Sequence, residues 1–124
     1  MRLLAPTSPG DLLDRISILT IKVERLPGPQ RVNAADELAA LRAIIEAELT
    51  VDGLEGLLQD LRQVNLALWD AEDKLRAFER QSEFGPEFID CARSIYRSND
   101  RRFALKRRIN ERLGSSLFEE KSYS

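Results

Sequence analysis

The spacing of apolar residues constrains this chain more than any other feature of its sequence. Apolar side chains recur every three or four positions, as in Leu12, Ile16, Leu19 and Val23. This spacing places them along one face of an α-helix. No segment shows the alternating period of a half-buried strand, and β-branched residues are sparse. The pattern therefore predicts an all-α fold.

Short groups of capping and helix-breaking residues divide the chain into four predicted helices. These groups lie at residues 8–11, 26–29, 52–55 and 84–86. Ser8 before a proline is a good helix start, because its hydroxyl can accept a hydrogen bond from the first turn. Asp52 and Glu55 have the spacing of a capping box, which predicts a helix start at Asp52. Gly114 is placed to end the last helix.

The last two helices, residues 52–81 and 86–113, are the longest and are separated by only a few residues. They are predicted to fold back as an antiparallel hairpin that dominates a four-helix, bundle-like domain. A chain of 124 residues suits one core, so residues 1–124 are predicted to form a single domain with an irregular tail over 114–124. The two N-terminal helices are about two thirds as long and the first is apolar on two faces. We therefore expect a homodimer, with a compact monomer as the alternative.

Composition excludes several classes of function. The chain has no histidine, which removes the common zinc sites and the Ser-His and Cys-His nucleophile pairs. The lone Cys91, the absence of a long apolar N-terminal stretch and the absence of any membrane-length apolar run predict a cytoplasmic protein without a membrane partner. The net charge of −2 argues against nucleic acid as a partner.

Polar residues stand on or beside the predicted apolar seams, where leucine is expected. They are Asn65, Trp69, Glu72, Asp73 and Arg76 on the third helix, and Asn99, Asp100, Lys106 and Asn110 on the fourth. Antiparallel pairing would bring Asn99 and Asp100 level with Trp69. The first helix adds Arg15 and Lys22 on one side of the helix, and Asp14 lies on a neighbouring part of the helix surface.

Two interpretations of these polar residues stay open. One is a buried polar network that fixes helix register. The other is a pocket for a small anionic or polar ligand. A magnesium site made by Glu72, Asp73 and Asp100 is the weaker version of the pocket, because adjacent helical side chains diverge by about 100°. No cofactor is predicted.

Two interpretations are also open for the C-terminal tail: it is disordered, or it packs across the helices. Such short polar termini are commonly disordered, but Leu117 and Phe118 could anchor the tail across the helices and place Lys121 or Tyr123 over the polar residues.

Four blocks of the sequence, in order, carry a resemblance to a known family. They are PGDLLDRISILTIKVERL, NLALWDAEDKLR, SIYRSNDRRFALKRRIN and EEKSY. They resemble the recurring blocks of a family of small bacterial all-helical proteins catalogued as a domain of unknown function, over residues 9–123. The resemblance implies a polysaccharide or glycosylation context. It also singles out matching positions, which are Asp14, Arg15, Lys22, Trp69, Glu72, Asp73, Arg76, Tyr96, Asn99, Asp100, Lys106, Asn110 and residues 119–123.

Taken together, the sequence predicts a binding or protein-interaction module with a polar cluster between its helices. The alternative is a small all-α enzyme acting on an anionic metabolite or a nucleotide, for which no catalytic residue can be named. Acid–base chemistry in such an enzyme would have to come from carboxylates, lysine or tyrosine, since histidine is absent.

Overall fold

The computed structural model describes residues 1–122. Within that range it contains four α-helices and no strand, which confirms the all-α prediction. The helices are α1 (Pro9–Arg25), α2 (Gly28–Glu48), α3 (Glu55–Arg80) and α4 (Pro86–Arg112). None of the helices in the described range carries an apolar stretch long enough to cross a bilayer.

The start of α1 and the end of α4 have the caps that the sequence predicts. The Ser8 hydroxyl caps α1 by accepting a hydrogen bond from the Asp11 amide at 3.1 Å. Gly114 follows α4 with φ +64°, and the next amide, of Ser115, donates to the Asn110 carbonyl at 2.9 Å. This six-to-one bond is a common glycine-assisted helix ending, and a glycine adopts the positive φ without steric cost.

The capping box predicted at Asp52 does not form. Residues 52 and 53 lie in a turn, and α3 begins three residues later, with Leu54 at the N-cap and no side-chain cap. The Leu54 amide donates to the Val51 carbonyl at 3.1 Å. Leu54 is almost completely buried, so its burial fixes the start of α3 more strongly than a surface cap would.

Helix α1 lies at the centre of the packing and contacts the other three helices, whereas α2 makes its helix contacts with α1. One apolar cluster joins α1, α3 and α4 through residues such as Leu13, Leu61 and Ile109. A second joins α1 to α2 through Leu19, Ala34 and Leu38. One apolar face of α1 therefore packs against α3 and α4, and the other packs against α2.

Contacts between α3 and α4 pair successively later residues of α4 with successively earlier residues of α3 or of the turn before it. The Phe78 and Phe88 rings lie edge to face, with centroids 6.4 Å apart. The Cys91 thiol donates to the Ala71 carbonyl at 3.3 Å, and the Arg112 guanidinium donates to the Gly53 carbonyl at 3.0 Å. This register determines which polar residues of the two helices meet.

The buried residues of α4 are Leu105, Ile109 and Asn110. Leu105 and Ile109 supply the buried apolar contacts of the helix, and each stands one position before a polar residue, Lys106 or Asn110, that was predicted to lie on or beside an apolar seam. Helix α4 packs against both α1 and α3, so its buried surface is wider than one stripe. Asn110 lies on the part that meets α1, where its side chain accepts a hydrogen bond from Gly10.

The described part of the tail, residues 115–122, has no helix and packs along α4. The Phe118 ring lies 5.3 Å from the Arg107 guanidinium, and the Glu119 carboxylate accepts a hydrogen bond from Lys106 at 3.1 Å. The Lys121 ammonium lies 5.0 Å from the centre of the Phe103 ring. The tail therefore covers one face of α4.

Removal of the tail after Gly114 is expected to lower the free energy of unfolding by about 1 to 2 kcal/mol. The Lys106 side chain is only 13% exposed, and truncation takes away the Glu119 carboxylate that it binds. Thermal unfolding of the full chain and the truncated chain measures the effect. Glu120→Gln is the control, because Glu120 is a mostly exposed partner of Arg107 and should change the midpoint little. An unchanged midpoint after truncation would mean that the docked tail does not stabilise the fold.

Candidate functional site

An open cleft of about 440 Å³ lies between α1, α3 and α4. We call it the α1/α3/α4 cleft. Its lining residues are Ile18 and Ile21 from α1, Asn65, Leu68, Trp69, Glu72 and Asp73 from α3, and Asn99 and Arg102 from α4. The structure therefore brings together five of the polar residues that the sequence singled out.

Helical spacing explains why these side chains share one cleft. Asn65, Trp69 and Glu72 follow each other at intervals of four and three residues, so they form a stripe along α3. That stripe runs beside the apolar seam that contains Leu68. On α4, Asn99 and Arg102 are three residues apart, so they lie on one face of the helix, and both line the same cleft.

A network of charged and polar side chains forms part of the cleft wall and continues into the interior. We call it the Asp14 network, made of Asp14, Ser17, Asn65 and Arg102. The Asp14 carboxylate is 6% exposed and accepts two hydrogen bonds from the Arg102 guanidinium, one of them from Nε at 2.9 Å. The Asn65 Nδ2 group donates to Asp14 at 3.1 Å and to the Ser17 hydroxyl at 3.2 Å. The network therefore links α1, α3 and α4.

The electrostatics of the network centre on Arg102. The hydrogen bond with Asp14 raises the pKa of the Arg102 guanidinium above its usual range, although partial burial acts in the opposite direction. Arg102 therefore stays charged at any pH at which the protein is folded, and its charge is matched by Asp14. Sequence reasoning named Asp14 as a site residue but did not name Arg102 as its partner. The three-residue interval from Asn99 to Arg102 was the signal available.

The outer part of the cleft carries the carboxylates of Glu72 and Asp73, which are exposed to solvent. Arg76 lies one helical turn from Glu72, with 3.9 Å between the closest charged atoms, and does not line the cleft. Asp100 is exposed and lies outside the cleft lining as well. Across residues 1–122 no group of three or more cysteine, aspartate or glutamate side chains could hold a metal ion. The alternative magnesium site made by Glu72, Asp73 and Asp100 is therefore not formed.

Lys106 and Asn110, predicted for the same site, belong to a different cluster at the start of α1. The Asn110 Oδ1 atom accepts a hydrogen bond from the Gly10 amide at 2.7 Å. The Lys106 ammonium lies 3.2 Å from the Asp11 carboxylate and 3.1 Å from that of Glu119. These contacts hold the start of α1 and the tail on α4.

The other predicted residues also lie away from the cleft lining. Arg15 forms an exposed ion pair with Glu37 on α2. Lys22 is half-buried on α1, and Lys121 packs on Phe103 instead of covering the cleft. Tyr123 lies outside the described residues.

Comparison with known proteins gives a family and no function. A family of unknown function (DUF6165) matches residues 4–124, which agrees with the resemblance carried by the four sequence blocks. No curated protein and no solved structure matches the chain. Because the match covers nearly the whole sequence, the chain belongs to this family of unknown function.

Proposed function

We propose that the chain is a binding module and that the α1/α3/α4 cleft is its ligand site. The observation that carries the proposal is the convergence of five polar or amphipathic side chains from two helices on one cavity: Asn65, Trp69, Glu72, Asp73 and Asn99. A cavity of about 440 Å³ is within the range of small-molecule sites.

The composition of the cleft supports binding. Ile18, Ile21 and Leu68 provide apolar surface, while the amides and carboxylates provide a few polar groups that can orient a ligand. Trp69 is half-buried and offers both a large apolar face and an indole N–H. The polysaccharide or glycosylation context implied by the sequence resemblance is compatible with such a site.

A small all-α enzyme is the alternative function. Among the residues that line the cleft, Glu72 and Asp73 are the side chains of the type that serves as a general acid or base. Both are exposed to solvent, whereas general acids and bases are usually tuned by burial and neighbouring charges. The arrangement therefore favours binding over catalysis.

A thermal-shift screen of nucleotides, sugar nucleotides, acidic metabolites, amines and divalent cations tests the proposal. A ligand that binds only the folded chain raises the midpoint by an amount that grows with concentration. The shift is expected to disappear in Asn99→Ala and to persist in Asn33→Ala, since Asn33 is an exposed asparagine on α2. If no class of compound produces a shift, or if Asn99→Ala leaves the shift unchanged, the cleft is not the ligand site.

For the scaffold, we propose a single cytoplasmic domain, a bundle-like arrangement dominated by the α3 and α4 hairpin, and a homodimer. The helices α1 and α2 have 17 and 21 residues, against 26 and 27 for α3 and α4. Phe84 and Ile89, near the α3 to α4 connection, are both about half exposed, and a second copy could cover them. Light scattering at tens of micromolar decides between the dimer and a 14.1 kDa monomer.

A further inference from the structure

We infer that the α1/α3/α4 cleft selects a ligand that brings a positively charged amine or guanidinium group to Trp69, Glu72 and Asp73. The inference rests on the proposed function, because it specifies the chemistry of the ligand for the same cleft. It replaces the anionic ligand that the sequence suggested.

The first step is the charge that remains available in the cleft. Arg102 is the one cation among the lining residues, and its guanidinium donates two hydrogen bonds to the buried Asp14 carboxylate. Its charge is therefore already matched. Glu72 and Asp73 remain, and an incoming anion would meet two carboxylates with no unpaired cation among the residues that line the cleft.

Arg76 does not cancel these carboxylates. It is 74% exposed, lies 3.9 Å from Glu72 and is absent from the cleft lining. Exposed ion pairs between neighbouring helical turns are weak and screened by salt. A cationic group that binds within the cleft can therefore compete with Arg76 for the Glu72 carboxylate.

The second step is the hydrogen-bonding capacity of Asn65. This side chain is 4% exposed and lines the cleft, and its Nδ2 group is committed to Asp14 and Ser17. Its Oδ1 atom has no hydrogen-bond partner among residues 1–122. In the same range, every fully buried side-chain oxygen or nitrogen atom has a hydrogen-bond partner, so this Oδ1 atom is not fully buried. The Oδ1 atom therefore keeps some contact with solvent, and its residue lines the cleft.

Asn65 thus presents an acceptor, as do Glu72 and Asp73. An ammonium group has three donors and no acceptor, and a guanidinium group has five donors and no acceptor. Either group matches the acceptors of Asn65, Glu72 and Asp73 in both charge and hydrogen bonding.

The third step is the aromatic side chain beside the carboxylates. Trp69 lines the cleft and precedes Glu72 by three residues on the same helical stripe. Tryptophan is the aromatic side chain with the strongest attraction for a cation placed over its face. A neutral polyol could also donate hydrogen bonds here, but it would gain nothing from the net negative charge, and this difference can be measured.

Isothermal titration with four probes tests the inference. Spermidine represents a free polyamine, tri-arginine represents a basic peptide segment, and trehalose and citrate represent a neutral polyol and an anion. We expect spermidine or tri-arginine to bind and the other two probes not to bind. Binding of spermidine alone indicates a small amine as the natural ligand, and binding of tri-arginine alone indicates a basic peptide.

Charge-matched variants separate the cleft from general attraction to an acidic protein. The double variant Glu72→Gln, Asp73→Asn is expected to weaken binding of the cationic probe by about tenfold or more. The control Asp36→Asn, Glu46→Gln removes the same charge from exposed positions of α2 and is expected to change it by less than about twofold. Equal weakening by the two double variants would overturn the inference.

Two further outcomes distinguish this inference from the proposed function. If trehalose or citrate binds and Asn99→Ala abolishes that binding, the cleft is a ligand site but does not select cations, so the inference alone fails. If none of the four probes binds and the wider thermal-shift screen also finds no ligand, both fail.

Discussion

Replacement of Asp14 by alanine is expected to lower the free energy of unfolding by about 3 kcal/mol, which corresponds to a fall of roughly 10 °C in the midpoint for a chain of this size. The Asp14 side chain is 6% exposed and the Arg102 side chain is 27% exposed. Without Asp14, the guanidinium keeps its charge in a partly buried position and loses two hydrogen bonds. Loss of one partner of a buried ion pair usually costs about 3 to 5 kcal/mol. Because Arg102 is partly exposed, the expected loss of stability for Asp14→Ala lies at the lower end of this range.

Two further variants make the Asp14 prediction specific. Glu37→Ala removes the partner of Arg15 in an exposed ion pair, and it should change the free energy of unfolding by less than about 1 kcal/mol. The double variant Asp14→Ala, Arg102→Leu should be more stable than Asp14→Ala alone, because no unpaired charge is left. Denaturant unfolding of the four proteins measures both effects. A double variant that is less stable than Asp14→Ala would show that the unpaired guanidinium is not the cause of the loss.

The Asp14 network also explains why the two interpretations of the polar residues are compatible. The charges of Asp14 and Arg102 are paired with each other at the wall of the cleft, as a structural network requires. Trp69, Glu72 and Asn99 line the same cleft without a buried partner of that kind. Asn65 and Arg102 take part in both, since each donates hydrogen bonds to Asp14 and each lines the cleft.

Periodicity made much of this arrangement predictable. The apolar spacing predicted helices, and the capping and helix-breaking residues divided them into four. The short connection before Pro86 predicted that Asn99 would lie level with Trp69, and both residues line the same cleft. These features depend on sequence intervals within one or two helices. They follow from helical geometry without knowledge of the distant packing.

Contacts between distant helices could not be predicted in the same way. The pairing of Asp14 with Arg102 joins residues 88 positions apart, and it depends on how α1 is rotated against α4. Lys106 and Asn110 were predicted to lie on or beside the same seam as Asn99, but they contact the start of α1 and, in the case of Lys106, the docked tail. Spacing identifies a face of a helix, whereas tertiary packing decides which partner meets each part of that face.

Gly10→Ala is expected to be the second strongly destabilising change, with a loss of about 3 kcal/mol in the free energy of unfolding. A β-carbon at this position would lie 2.6 Å from the Lys106 carbonyl oxygen and 2.8 Å from the Asn110 Oδ1 atom. The first of these atoms belongs to the backbone of α4 and cannot move away by changing a rotamer. Separation of the two helices would also stretch the hydrogen bond of 2.7 Å from the Gly10 amide to Asn110.

Gly56→Ala provides a matched control, because Gly56 lies in the first turn of α3 and a β-carbon there meets nothing within 4 Å. Alanine has the higher helix propensity, so this change should be neutral or stabilise the fold by up to about 1 kcal/mol. Opposite effects of the same substitution would assign the loss at Gly10 to the close approach of α1 and α4. If Gly10→Ala unfolds at the same denaturant concentration as the original chain, the two helices do not pack this closely in solution. The rotation of α1 that pairs Asp14 with Arg102 would then need a different explanation, since Gly10 and Asp14 occupy consecutive turns of the same helix face.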